Sequence, residues 1–392
     1  MQNFSRFLKG SVSDMNKYFY GVWVASVLNL DFPSKPGIPV AQMKEELEDI
    51  IATSKKSGLN AVLFQVRPAS DALYKSKLFP VSKYLTGVEG SELPEGFDPL
   101  DYMVTRCHEE GLELHAWINP YRITLGSADK PNQDLSVLSE NHPARQHPEW
   151  VVAYPDGKLY FNPGIQAVRD LIVEGVREVV EGYAVDGVHF DDYFYPYPMR
   201  TEVDGVSVVI PYDDKKEYEE SGNGMSLDDW RRDNVNKLVK QCYDAIHAIR
   251  DNCSFGISPF AIWRNKSDAC PEGMETNGLE CYSALYADFT AWVDGGYIDY
   301  INPQIYWKFD TAVARFGVIL DWYDKYMEGK NIGLYAGHGL YRCDAEGWEP
   351  DEIPNQIDYC KEKKNCNGSV FFGYSKLKEN ALGLCEVIAK KA

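Results

Sequence analysis

Eight short apolar runs recur along the 392-residue chain, and each is followed by a polar loop and then by a helical pattern. The runs are nearly continuous in apolarity and rich in β-branched and aromatic residues, which is typical of strands buried on both faces of a parallel sheet. Strand followed by helix, eight times over, predicts an α/β fold, the (β/α)8 TIM barrel. The runs are GVWVASV (21–27), NAVLFQVRP (60–68), LELHAWINP (112–120), GVHFDDY (187–193), SFGISPF (254–260), IDYINPQIYW (298–307), IGLYAGHG (332–339) and GSVFFGYS (368–375).

The loops between these elements are uneven in length. Helix-to-strand connections are short, whereas four strand-to-helix connections are long: 69–96, 122–161, 196–225 and 265–283. In a barrel the strand-to-helix loops all lie on the C-terminal face, where active sites are found. The alternative, an open doubly wound sheet, is disfavoured because no Gly-rich phosphate turn follows the first run.

No low-complexity linker divides the chain, so we predict an N-terminal extension over residues 1–19 and a single barrel domain over residues 20–392. The N-terminus has no apolar segment of the signal-peptide kind, which predicts a cytoplasmic protein, or an exported cell-envelope protein if the start has been trimmed. No run is long enough for a transmembrane helix, so membrane insertion is not expected.

The net charge is −19, and no run of basic residues is longer than KEKK (361–364). A nucleic-acid partner needs a basic footprint, so this charge argues against one. Nine scattered cysteines without a CxxC pair predict reduced, mostly buried thiols and neither a zinc site nor a disulfide framework.

The fourth run ends in an unusual stretch, DGVHFDDYFYP (186–196), which places two adjacent carboxyl groups at the end of a buried strand. Because side chains alternate along a strand, His189, Asp191 and Tyr193 share one face and Val188 and Phe190 the other. The apolar pair suits the outer face, so Asp191 is predicted to point into the barrel at its mouth. Asp192 begins the loop and can turn either way, and a β-bulge would exchange the two aspartates.

Other strand ends carry amides, arginines and aromatic rings, the groups that bind sugar hydroxyls and sugar faces. We therefore predict a polysaccharide or oligosaccharide substrate, with no cofactor. The candidate binding residues are Arg67, Trp117, Asn119, Tyr121, Arg122, His189, Tyr193, Trp263, Arg264, Asn302, Gln304, Tyr306, Trp307 and Tyr374.

Glycoside hydrolysis usually needs two carboxyl groups, about 5–5.5 Å apart for retention and roughly 6.5–9.5 Å apart for inversion. Asp191 is the first candidate, and Asp192, Asp71 or Asp31 could supply the second. No acidic residue closes strands five to eight, so a loop residue or an acetamido group of the substrate could replace it.

Two other classes of protein remain open. A non-catalytic glycan-binding barrel would keep the aromatic and amide lining but lack a second carboxyl group near Asp191. A metal-dependent hydrolase, such as a polysaccharide deacetylase, would require His189, His115 and the two aspartates to converge. The histidines are read more simply as hydrogen-bond partners inside the barrel, so we predict no metal.

Several blocks, in order along the chain, resemble those of glycosyl-hydrolase-like family 10, a bacterial barrel family. The resemblance covers about residues 20–380 and is carried by GVWVASVLNLDFPSKPG (21–37), FQVRPASDALYKS (64–76), HAWINPYR (115–122), FNPG (161–164), DGVHFDDYFYP (186–196), WRRDNVN (230–236), FGISPFAIWRN (255–265) and INPQIYW (301–307).

This resemblance implies glycoside hydrolysis, and for at least some members an action on peptidoglycan glycan strands stripped of their peptides. Carried over to this sequence, it points to Asp191, Asp192, Asp71, Arg67 and Asn119 as the site. Members of the family are usually exported, whereas no export signal is visible here. Other polysaccharides remain open as substrates.

Overall fold

Eight parallel strands close into a barrel in the computed structural model, which describes residues 18–344 and 348–392. Each strand pairs with its neighbours in chain order, and the last pairs with the first. The predicted (β/α)8 barrel is therefore confirmed. The strands are β1 (Phe19–Val24), β2 (Ala61–Arg67), β3 (Glu113–Ile118), β4 (Gly187–Phe190), β5 (Ser254–Ile257), β6 (Tyr300–Ile301), β7 (Gly333–Gly339) and β8 (Cys366–Phe372).

Helices cover the outside of the barrel and fill its loops. A serine cap begins the longest one, where the Ser226 hydroxyl accepts a hydrogen bond from the Asp229 amide at 3.2 Å. The described α-helices are Val40–Lys56, Lys83–Thr86, Pro99–Glu109, Pro143–Gln146, Gln166–Gly182, Lys215–Ser221, Leu227–Ile249, Cys281–Ala284, Phe289–Gly295, Phe316–Tyr326, Glu352–Lys361, Tyr374–Lys378 and Leu384–Lys391.

Two antiparallel hairpins lie in the long loops of the C-terminal face. Val151–Tyr154 pairs with Lys158–Phe161 in the loop after β3, and Arg200–Val203 pairs with Val206–Val209 in the loop after β4. The chain thus builds additional structure on the face of the barrel where strand ends converge.

The apolar side chains form two separate clusters because strand residues alternate between the two faces of the sheet. The larger cluster lies between strands and helices and contains the outward residues Val62, Phe64 and Ile118. The smaller cluster fills part of the barrel interior and contains Phe19, Trp23, Ala25, Ala61, Leu63, Trp117 and Val370.

Two inward-facing glycines make room for large polar side chains inside the barrel. A Cβ atom at Gly187 on β4 would lie 2.4 Å from Nδ1 of His115, and one at Gly256 on β5 would lie 2.0 Å from the Tyr300 ring. Both distances are far below van der Waals contact. The interior is therefore shaped for these two rings.

Residues 1–17 of the predicted extension lie outside the described residues. No helix in the described part of the chain is long and apolar enough to span a membrane. All nine cysteines fall within it, and they are buried and unbridged.

We expect Gly256→Ala to lower the free energy of unfolding by about 1–3 kcal/mol, because the Tyr300 ring is enclosed and cannot yield. Gly182→Ala is the matched control, since its added methyl group meets nothing within 4 Å. That control should be neutral or stabilise by up to about 1 kcal/mol. Chemical denaturation measures both, and equal effects of the two substitutions would contradict the packing argument.

Candidate active site

Asp191 lies directly after β4, at the mouth of the barrel, and is 4% exposed. Its Oδ2 accepts a hydrogen bond from Nε1 of Trp117 at 3.0 Å, and both oxygens accept from Nδ2 of Asn119 at 3.1 Å. Burial raises the pKa of Asp191 to about 6; the Arg122 guanidinium lowers this pKa, and the Asp192 carboxylate raises it. A carboxyl group with this pKa can hold or release a proton near neutral pH.

Asp192 faces the same cavity as Asp191. Its Oδ2 accepts a hydrogen bond from the Tyr197 hydroxyl, and the Gln304 side chain also lies at its carboxyl group. Burial raises the pKa of Asp192, whereas these two hydrogen bonds lower it. Two neighbouring residues of one strand end thus present two carboxyl groups, each held by neutral donors.

The cavity around the two aspartates has a volume of about 120 Å³. Most of its lining side chains are aromatic, and a few polar groups converge among them, as is usual in small-molecule sites. The lining residues are Trp23, Trp117, Asp191, Asp192, Tyr193, Tyr197, Ser258, Gln304, Tyr306 and Phe372.

A chain of hydrogen bonds lies below this cavity, inside the barrel. Nε1 of Trp23 donates to Nε2 of His189 at 3.1 Å, and the Ser258 hydroxyl lies 3.0 Å from the same nitrogen. On the other side of the ring, Nδ1 of His189 lies 3.0 Å from the Tyr300 hydroxyl, which lies 2.9 Å from Nδ1 of His115.

The direction of this chain follows from its first donor. An indole nitrogen can only donate, so Nε2 of His189 is the acceptor and Nδ1 carries the proton. Nδ1 of His189 therefore donates to the Tyr300 hydroxyl, which in turn donates to His115. Burial, together with the nearby His115, holds the pKa of His189 well below its ordinary range, so the ring is neutral.

The structure brings together many of the predicted site residues. Asp191, Asp192, Trp117, Tyr193, Gln304 and Tyr306 line the cavity. Asn119 donates a hydrogen bond from Nδ2 to Asp191, and its Oδ1 accepts a hydrogen bond from the Arg122 amide at 3.1 Å.

Three further candidates border the cavity. Arg122 donates from Nε and Nη2 to the Pro68 carbonyl and lies 5.0 Å from the centre of the Tyr193 ring. Asn302 is fully buried, and its Oδ1 lies 3.3 Å from the position that a Cβ atom on Gly337 would take, as does the Trp23 ring at 3.2 Å. Trp307 is half-buried at the rim, where its ring packs on Phe260 at 5.6 Å.

Arg67 points away from the barrel interior, which corrects its assignment to the site as a strand-end residue. The pairing of β2 with β3 shifts register between Gln65 and Arg67, so Arg67 aligns with the outward residue Ile118. Its guanidinium stacks on the Phe79 ring at 4.3 Å and packs against the helix at Gly175. This β-bulge turns the side chain to the outer face.

Four other predicted binding residues also lie away from the cavity. Tyr121 and Tyr374 are buried in the outer core, and Tyr374 reaches Asp49 with its hydroxyl at 3.4 Å. Trp263 packs on Trp322 with ring centres 5.3 Å apart, and Arg264 lies over the Trp263 ring. After their strands end, these segments turn outward onto helices, which alternation within a strand does not predict.

Neither remaining carboxyl candidate lines the cavity. Asp71 accepts a hydrogen bond from the Ala69 amide at 3.1 Å and lies beside Ser82, and burial raises its pKa. Asp31 accepts from the Ala25 amide at 2.8 Å. Both carboxylates cap backbone turns.

Four lining residues were absent from the predicted set: Trp23, Tyr197, Ser258 and Phe372. Alternation along β1, β5 and β8 places Trp23, Ser258 and Phe372 on the inward face, so the signal was present in the sequence. Tyr197 lies in a loop, and its position depends on its hydrogen bond to Asp192.

The arrangement required by the metal-dependent alternative does not occur in the part of the chain that the structure describes, where no group of three or more possible ligands converges. Both nitrogens of His189 face protein hydrogen-bond partners instead.

Residues 19–351 match the family model described as glycosyl hydrolase-like 10. The chain is 43% identical over 370 residues to glycosyl hydrolase YngK of Bacillus subtilis (strain 168), covering 93% of this chain and 69% of that protein. It is 34% identical over 372 residues to glycosyl hydrolase DigH of Escherichia coli (strain K12), covering 90% of this chain and 82% of that protein.

Among solved structures, the fold is similar to the glycoside hydrolase domain of PgaB (BpsB) from Bordetella bronchiseptica. The TM-score is 0.59 at 11% sequence identity, with 95% of this chain and 98% of that chain covered. At this identity the likeness concerns the barrel fold alone.

Removing the Tyr300 hydroxyl tests the chain of hydrogen bonds below the cavity. Tyr300→Phe leaves Nδ1 of both buried histidines without a partner, which should cost about 1–3 kcal/mol in the free energy of unfolding. Tyr335→Phe is the control, because its ring stacks on Tyr300 at 4.9 Å but its hydroxyl forms no hydrogen bond with the described residues. Denaturant titration should separate the two variants, and an equal loss in both would contradict the stabilising role of this chain of hydrogen bonds.

Proposed function

The chain belongs to the glycosyl hydrolase-like 10 family, and we propose that it hydrolyses glycosidic bonds with Asp191 as the group that protonates the leaving oxygen. The observation that carries this proposal is the buried carboxyl pair at the mouth of the barrel. The two aspartates share a cavity whose other lining groups are neutral. A glycosidase needs such a carboxyl group at the scissile bond, and family membership supports the same activity.

The surroundings of Asp191 suit a general acid. Burial raises its pKa to about 6, so a fraction of the carboxyl groups stays protonated at neutral pH. Trp117 and Asn119 fix its orientation through neutral donors; their hydrogen bonds lower the pKa of Asp191, but burial outweighs them. A general acid works best when its pKa lies near the working pH.

Asp192 takes the second role. It is the other carboxyl group in the described lining, and no acid from β5 to β8 joins it. We infer that the substrate supplies its own nucleophile through an acetamido group, and that Asp192 accepts the N–H of that group and orients it. Tyr197 and Gln304 hold the Asp192 carboxyl group in place for this contact.

This reasoning favours glycans built from N-acetylated sugars, and peptide-free peptidoglycan strands are the proposed substrate. The cavity of about 120 Å³ is small and ring-lined, which suits one sugar unit at a time.

We expect the wild-type protein to release reducing ends from peptide-free peptidoglycan strands, and Asp191→Asn to lose this activity by roughly 10²- to 10⁴-fold. Asp31→Asn is the matched control, because Asp31 is also an aspartate in the loop after a barrel strand, and burial raises its pKa to about 6. Asp31 does not line the cavity, so that variant should remain active. A panel of other polysaccharides assayed in parallel identifies the substrate class.

Two outcomes would contradict this proposal. If Asp191→Asn stays as active as the control, the chemistry lies elsewhere. If no glycan is cleaved although one is bound by the wild-type protein, the barrel is a non-catalytic glycan-binding protein.

The pH dependence gives an independent test. Because Asp191 must be protonated to act as the acid, kcat/KM should fall as the pH rises through about 6. The Asp192 charge raises the pKa of Asp191, so Asp192→Asn should move this alkaline limb to lower pH in whatever activity remains. Asp31→Asn should leave the limb unchanged. Rate profiles on a soluble glycan measure all three, and an acidic limb in place of the alkaline one would refute the acid role.

A further inference from the structure

An arc of aromatic rings extends from the cavity around the mouth of the barrel. Its members are contributed by strand ends and loops from β4 to β8, and all of them are half-buried. We call this set the aromatic arc: Tyr193, Tyr197, Phe260, Trp307, Tyr306, Tyr341 and Phe372.

The first part of the arc leads away from the carboxyl pair. Tyr193 and Tyr197 line the cavity, with ring centres 5.7 Å apart. The Phe260 ring follows at 6.2 Å from Tyr197, and the Trp307 ring at 5.6 Å from Phe260. Phe260 and Trp307 are not part of the cavity lining, so the rings continue beyond the site of the chemistry.

The second part of the arc lies beside the first part. Tyr306 stacks on Phe372 with ring centres 5.8 Å apart and planes inclined by 13°, and Tyr341 closes a triangle with both at 5.8 Å. Tyr306 precedes Trp307 in the sequence, so the two parts meet at the end of β6.

These rings differ from those of the core. The aromatic side chains packed between strands and helices, such as Phe64 and Phe161, are almost fully buried. Every ring of the arc keeps part of its surface exposed, next to a cavity with room for about one sugar ring. Exposed aromatic surface that adjoins a binding cavity indicates a larger ligand than the cavity itself contains.

We propose that the aromatic arc binds the sugar units next to the one in the cavity, so that the protein prefers a glycan strand of several units over a short oligosaccharide. This inference rests on the proposed function, because it names the size of the substrate at the same site. Trp307 is the outermost ring of the first part and has the largest ring system of the arc. It is therefore the residue that sets the preference for length.

The test measures binding without turnover. In an Asp191→Asn background, calorimetry gives the dissociation constants of N-acetylglucosamine oligosaccharides of two, four and six units and of peptide-free peptidoglycan strands. We expect affinity to rise with length. Trp307→Ala should reduce the ratio of long-chain to short-chain affinity by about fivefold to tenfold.

Two further variants make the result specific. Trp307→Phe keeps a ring at the position and should restore much of the length preference. Trp322→Ala removes a half-buried tryptophan that stacks on Tyr326 away from the mouth, and it should leave the ratio unchanged.

Affinity that does not depend on length, or the same ratio in Trp307→Ala and Trp322→Ala, would overturn the inference. Neither result depends on hydrolysis. A protein that binds long strands through Trp307 but never cleaves them would therefore refute the proposed activity and leave the binding inference standing.

Discussion

The hydrogen bond from Trp23 to His189 determines much of the barrel interior. A tryptophan N–H can only donate a hydrogen bond, so it fixes which neutral tautomer His189 adopts. It thereby also fixes the direction of the hydrogen bonds through Tyr300 to His115. Unpaired polar groups at this depth would each cost about 1–3 kcal/mol, so the members of the chain require one another. The glycines on β4 and β5 that admit these rings belong to the same arrangement. Two members of this chain, Trp23 and Ser258, also line the cavity, so the arrangement continues up to the site.

The chemistry of the mouth depends on how the two aspartates are held. A close ion pair would pull the pKa of Asp191 down and keep it ionised. Here the Arg122 guanidinium gives its hydrogen bonds to the Pro68 carbonyl and stacks on Tyr193, so it lowers the pKa of Asp191 without bonding to it. Burial outweighs that effect and leaves the pKa at about 6. The position of Arg122 is therefore part of the electrostatics of the site.

The sequence predicted the barrel because its eight apolar runs depend only on local composition and order. Alternation placed Asp191 at the mouth correctly, since β4 continues without a bulge up to that residue. The assignment of Arg67 to the site as a strand-end residue was wrong, because the bulge in β2 turns its side chain to the outer face. Trp263 and Tyr374 lie past their strand ends, so long-range packing on helices decides their positions. Periodicity carries no information on bulges or on such contacts.

The two sides of the mouth contribute different groups. The end of β3 provides the donors that hold Asp191, namely Trp117 and Asn119, while the aromatic arc from β4 to β8 provides half-buried rings. A glycan with its scissile oxygen at Asp191 would then extend over the β4–β8 side, because the apolar faces of its sugars match rings there. Hydrolysis of the glycan and recognition of its length would thus depend on different β-strands of one barrel. Substitutions at Trp307 and at Asp191 should accordingly affect chain-length preference and turnover separately.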